Sequence, residues 1–230
     1  MILTGIAITQ LATFGSWGAI TYQLDNNNIS TALNASDGTE NRDNWFANSF
    51  VALAGATSIT HVDFGVFTTT PNTTAKVVLY RITDPGGNPA LGATRVFTQN
   101  FTPLVGDNTN AFLQGIDLNT PVNFNVGDKF LVSIFIPNVQ AAPPNDVYPY
   151  LLDTSGVAAG TWWDRSSPNS FNLDDLTLAK SIDQPLSPGG FNPGPGHMII
   201  RAVGVVPEPT VAALGGLALA SIAILRRRTK

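Results

Sequence analysis

Seven consecutive residues, Phe130-Leu131-Val132-Ser133-Ile134-Phe135-Ile136, place the strongest constraint on how this chain folds. All but Ser133 are apolar, and the run opens on a Gly127-Asp128 turn, which marks it as a strand. Neighbouring side chains on a strand point to opposite faces, so an apolar run without alternation needs cover on both. Ala75 to Ile82 has the same character and stops at the turn sequence Asp84-Pro85-Gly86-Gly87. From Ile59 to Phe67, Val62, Phe64 and Val66 alternate with His61, Asp63 and Gly65, the period of a half-buried strand that sends His61 outward. Trp45 to Leu53, Arg95 to Phe101, Asn110 to Leu118, Val147 to Leu152, Gly160 to Arg165 and His197 to Val205 read as further strands. Pro137 is expected to end the central one. Tyr22 to Asn44 reads as a polar, loop-rich stretch, and Leu173 to Ile182 favours neither helix nor strand. About ten short strands at turn-punctuated spacing point to two antiparallel sheets packed face to face. The expected fold is all-β, a jelly-roll-like antiparallel β-sandwich.

Composition narrows the function classes. Charged residues are 12% of the chain against 21 Gly and 16 Pro, so turns are abundant and exposed amphipathic helices scarce. Cysteine is absent, which removes disulfides, thiolate metal sites and cysteine nucleophiles and leaves the core alone to hold the fold. Net charge is −4 overall, but before Pro207 eight basic residues face fifteen acidic ones, a balance near −7 that disfavours nucleic acid as a partner. Residues 22–204 are long enough for one domain with a sizeable core.

The last 26 residues, 205–230, have a different character. Pro207-Glu208-Pro209 is followed by an uncharged run over residues 210–225 and then by Arg226, Arg227, Arg228 and Lys230. As a helix the run reaches roughly 24 Å, a little short of a hydrocarbon core of about 30 Å. Proline is tolerated in a helix's first turn, so a single transmembrane helix is expected to start near Thr210. The basic cluster orients it, because cytoplasmic flanks carry the Lys/Arg excess and the preceding domain then lies on the far side. Motif, short apolar helix and arginine cluster, in that order, resemble the PEP-CTERM sorting domain of Gram-negative bacterial exported proteins. The resemblance covers about a tenth of the chain. Similar tails also carry an ice-binding C-terminal label, which describes some of their carriers and not the chemistry of the tail. The resemblance implies recognition and cleavage near the motif by an exosortase, a membrane-embedded enzyme of which this chain would be the substrate. A plain tail anchor accounts for the helix and the arginines but leaves the motif unexplained.

Residues 1–21 are apolar and rich in small residues, and export requires a signal peptide, which is the reading given to them. No Lys or Arg precedes Arg42, however, and Gln10 interrupts the run, so a first β-strand is the alternative.

Two histidines, His61 and His197, leave little for zinc or a hydroxyl triad, and no nucleophile elbow, P-loop or dinucleotide fingerprint occurs. No catalytic residues, cofactor or metal site are assigned; Asp174-Asp175 read as a solvated turn. Trp162-Trp163-Asp164-Arg165 offer an aromatic platform with polar partners on which a sugar such as an exopolysaccharide unit stacks. Strand alternation puts the two tryptophans on opposite faces, so the competing reading is one in the core and one at an edge. Asp25, Asp37, Glu40 and Asp43 are oxygen donors suited to Ca²⁺, but no loop motif spaces them, and solvated loop residues are expected. Thr68-Thr69-Thr70 and Thr73-Thr74 lack the repeat of a flat ice-binding array.

Overall fold

The computed structural model describes residues 19–26, 31–33, 41–67, 74–104, 111–139, 150–154, 159–184 and 196–205. Among these are thirteen strands and no helix. They are β1 (Ile20–Tyr22), β2 (Thr31–Leu33), β3 (Arg42–Val51), β4 (Ser58–Val66), β5 (Ala75–Ile82), β6 (Ala93–Phe101) and β7 (Phe112–Asn123). There follow β8 (Lys129–Val139), β9 (Tyr150–Asp153), β10 (Thr161–Ser166), β11 (Lys180–Ser181), β12 (His197–Met198) and β13 (Ile200–Val205). A six-stranded sheet, β11-β10-β3-β8-β5-β6, faces a four-stranded sheet, β1-β13-β4-β7, with a small sheet β12-β9-β2 beside them. Pairings are antiparallel throughout.

Three nested pairings set the winding. β5 turns back on β6, β4 pairs with β7, and β3 pairs with β8. The segments from β3 to β8 are thus one long hairpin folded over, with β4 and β7 in the four-stranded sheet and the rest in the six-stranded one. β8 and β5 are interior strands, as their unbroken apolar runs require. Phe130, Val132, Ile134, Val77 and Leu79 face inward and meet Val62, Phe64, Ile116 and Ile200 of the opposing sheet. Leu131, Phe135, Val78 and Tyr80 face outward with Trp45 and Ala47, under Leu173, Leu176 and Ala179. Each such side chain contributes about 1.5–3 kcal/mol on leaving water.

The covering segment, residues 167–179, includes most of the stretch Leu173 to Ile182, whose sequence favoured neither helix nor strand. It is a run of turns, closed by Asp175 N to Asn172 O (3.0 Å) and Ala179 N to Leu176 O (2.9 Å), before β11. Asp43 anchors its start. Its carboxylate accepts from the amides of Ser170 (3.1 Å) and Phe171 (3.2 Å) and, on the other oxygen, from Asn138 (2.9 Å).

Two prolines lie inside strands. β8 continues through Pro137 to Val139, against the expectation that Pro137 ends it. The register of β3 on β8 slips there, and Asn138 takes φ of 52°, so the missing proline amide falls at a bulge where no ladder bond is due. Pro121 in β7 follows the same rule, between Asp117 and Val122, where the pairing with β4 slips. A third irregularity separates β12 from β13 at Ile199. The side chain of Asn48 donates to both flanking carbonyls, Met198 O (2.7 Å) and Ile200 O (2.9 Å), and thereby holds the break. Gly65 sits under it because a Cβ there would lie 2.8 Å from that of Ile199.

The stretch from Tyr22 to Asn44, read as loop-rich, also differs: it holds the end of β1, all of β2 and the start of β3. The expected boundary at residue 21 falls inside β1, where Ile20 and Thr21 already pair with Gly204 and Val203. Tyr22 then enters the core and its hydroxyl donates to Ala56 O (2.9 Å) while accepting from Leu53 N (2.9 Å). The sandwich therefore begins by Ile20. The expected signal residues before Ala19 and the tail from residue 206, where a transmembrane helix is expected, lie outside the described residues. No described helix is long and apolar enough to cross a membrane.

Candidate functional site

Alternation along β10 decides the fate of the Trp162-Trp163-Asp164-Arg165 stretch. Trp163 is opposite Phe46 and turns into the core, where the rings stack at 6.1 Å and its Nε1 donates to Gln184 O (3.0 Å). Arg165, two residues on, has its guanidinium 6.0 Å from the Trp163 ring. Trp162 and Asp164 take the other face, opposite Ala47 and Trp45. Asp164 is buried there, and that burial pushes its carboxyl up to about 6, although its own oxygen accepts from Arg165 N (2.7 Å). The four residues therefore do not form one surface, and only Trp162 of the two tryptophans keeps partial exposure.

Trp162 lines a groove of about 520 Å³, within the usual range of roughly 300–1,000 Å³ for small-ligand sites. Its floor is the end of the outer face where Val51 and Lys129 are cross-strand partners and Ile82 lies alongside. Val51 and Leu53 are each 48% exposed, unusual for neighbouring aliphatic side chains on a sandwich. One wall is the turn holding Gly86 and Gly87; the other comes from residues 21–24 with Ser49 and Gly160. Gly87 has φ of 86°, and a Cβ there would lie 3.3 Å from Lys129 Nζ, so glycine both permits the turn and leaves room for the ammonium. Lys129 Nζ donates to Pro85 O (2.6 Å) and is the only charged group among the described lining residues. Sequence reasoning identified Trp162 and missed Lys129, Val51 and the glycine turn as a site. The turn sequence was visible, but nothing local says that it folds over Lys129.

A second polar feature crosses the outer face of the four-stranded sheet as a row of alternating charges. His61, outward as expected, has Nδ1 2.6 Å from Asp117 Oδ1 and Nε2 3.1 Å from Asp63 Oδ1. Burial lowers its pKa, but the hydrogen bonds to Asp117 and Asp63 outweigh that, and the net shift is upward. An imidazolium, donating at both nitrogens, satisfies both carboxylates. Asp63 is opposite Arg201 on β13, whose guanidinium makes a two-pronged pair with buried Asp25, Nε to Oδ2 at 3.0 Å and Nη2 to Oδ1. Asp25 and Asp43, expected to be solvated, are thus buried structural carboxylates, one on a guanidinium and one on backbone amides. Asp37 and Glu40 lie outside the described residues. Asp174 pairs with Arg95 (2.8 Å) and Asp175 caps Thr177, the exposed turn expected. Among the described residues no group of three or more His, Asp or Glu is placed to hold a metal ion.

Thr161 Oγ1 and His197 Nδ1 are 3.1 Å apart, the spacing of a nucleophile and its base. The Thr161 hydroxyl, however, is buried and donates to Asn48 Oδ1 (2.8 Å), which fixes the His197 proton on Nδ1. The pair extends the Asn48 network and does not present an activated hydroxyl.

No protein-family model matches this chain, and no curated protein matches it. Pro207, Glu208 and Pro209, expected to be a sorting motif, and the basic cluster Arg226, Arg227, Arg228 and Lys230 lie outside the described residues.

Proposed function

We propose that this chain is an exported cell-envelope or extracellular-matrix protein, sorted and cleaved at Pro207-Glu208-Pro209 by an exosortase, whose ectodomain binds or scaffolds and does no catalysis. In this reading the sandwich is jelly-roll-like, residues before β1 are the signal, residues 210–225 span the membrane once, and the arginines stay on the cytoplasmic side. The observation that supports it is the register of β1 on β13. Ile20 lies opposite Gly204, so both membrane-directed segments join the sandwich at one pole. β13 is moreover an interior strand between β1 and β4. Tension from an anchored tail then loads a strand hydrogen-bonded on both sides. Mass spectrometry of the envelope fraction from a host with an exosortase tests the reading. The mature chain is expected to end near Pro207, and Glu208→Ala to block that cleavage without changing membrane insertion. Intact Lys230 as the dominant form overturns sorting and leaves a plain anchor.

A second reading, a carbohydrate-binding module on the same tail, is favoured by one observation: Trp162 lines an open groove of mixed apolar and polar character. Pyranose rings have that same mixture, an apolar face edged by hydroxyls.

A further inference from the structure

We propose that the groove at Trp162 and Lys129 takes an acidic polysaccharide, one whose sugar rings carry carboxylate or similar anionic groups. The inference rests on the carbohydrate-binding reading and goes past it by assigning the charge of the ligand. Four features carry it. Trp162 supplies the aromatic surface; Val51, Leu53 and Ile82 supply aliphatic contact; Thr21, Gln23 and Ser49 supply hydroxyl and amide edges. Lys129 is the only charged side chain among the described lining residues, and its bonded neighbour is a neutral carbonyl, Pro85 O. Three arginines elsewhere meet acids, Arg81 with Asp128 (3.3 Å), Arg95 with Asp174 and Arg201 with Asp25, whereas Lys76 lies over the Phe135 ring away from this groove. In a domain with an acidic balance, a groove whose described lining carries an ammonium and no carboxylate is the place where an anion is accepted and a cation refused. Because the rest of the surface repels a polyanion, the preference is local, and a short oligomer suffices.

The test uses the purified full chain in calcium-free buffer, titrated calorimetrically with oligogalacturonate, its uncharged methyl ester, and polyacrylate, an anion without sugar rings. Oligogalacturonate is expected to bind roughly two- to fivefold tighter than the ester, as one partly screened ion pair implies. Polyacrylate is expected not to bind. Lys129→Gln should erase the preference while keeping ester binding, and Val51→Glu, at an exposed position that asks nothing of the core, should lower binding of the acid more than of the ester. Trp162→Ala should abolish both, with thermal melting as the check that the sandwich is intact. Equal binding of acid and ester, unchanged by Lys129→Gln, overturns the acidic assignment and leaves the carbohydrate reading standing. Binding to neither sugar overturns both. Polyacrylate binding as tightly as oligogalacturonate, or Val51 and Leu53 capturing an apolar peptide that sugars do not displace, overturns the proposal in favour of nonspecific charge or a peptide ligand.

Discussion

Asp164 and His61 show how one residue's surroundings give the domain a pH dependence. The folded-state pKa of Asp164, about 6 against an ordinary 3.8, favours the protonated carboxyl in the folded chain. Its contribution to stability is therefore most favourable below pH 4, declines as pH rises from about 4 to 6, and is constant above. Asp164→Asn keeps an acceptor for Arg165 N and removes the buried charge. It should stabilise the domain by up to about 3 kcal/mol at pH 7.5 and change little at pH 4, read from denaturant midpoints. His61 also has a raised folded-state value, so its stabilisation is fully present below the unfolded-state pKa and is lost as pH climbs through the folded one. Accordingly His61→Gln should cost more stability at pH 5.5 than at pH 8.5, and NMR titration of the imidazole should give a midpoint above the ordinary 6.5. The outward direction of His61 was legible from strand alternation. Its two carboxylates were legible only in part, because Asp63 is two residues away on the same strand whereas Asp117 comes from β7.

At the scale of elements, the outer face of the six-stranded sheet depends on a segment with no regular structure. Residues 167–179 bury Trp45, Tyr80 and Phe135, and three amides, one of them from the β8 bulge, converge on Asp43. Asp43→Ala leaves Asn138, Ser170 and Phe171 amides without that acceptor, and should cost roughly 2–4 kcal/mol. Hydrogen exchange should rise first across residues 167–179 and leave β3 and β8 protected; uniform acceleration would show that the cover and the sheet open together. The edges are closed by side chains that imitate backbone. Gln99 on β6 donates to Asp117 O (2.9 Å) and accepts from Asn119 N (2.7 Å) on β7. Gln114 does the same for Thr102 O and Leu104 N. These clamps occupy strand-edge groups that would otherwise template association. Neither a glutamine's partner nor a proline's bulge is written in local sequence, since each depends on which strand arrives alongside.

For the whole molecule, the relevant unit is residues 19–205, with β1 sealing one edge of the four-stranded sheet. Such a chain should unfold cooperatively, with a thermal midpoint indifferent to reductant because it has no cysteine. Starting it at Gln23 instead removes the Tyr22 ring and its two backbone bonds, and should cost about 3–5 kcal/mol, seen as a lower midpoint. Chelator should shift neither form, since Asp25 and Asp43 are committed to Arg201 and to backbone amides. The sequence by itself determined the all-β class, the central position of β5 and β8, the outward His61 and the separation of Trp162 from Trp163. Those are consequences of side-chain period and turn chemistry, which act over a few residues. Only the tertiary structure decided that Asp25 and Asp43 are buried, that Pro137 is passed by a bulge, and that Lys129 meets Trp162 across a groove. Each of those joins residues 33 to 176 positions apart, and a buried charge or a missing amide is tolerable only if a distant partner satisfies it.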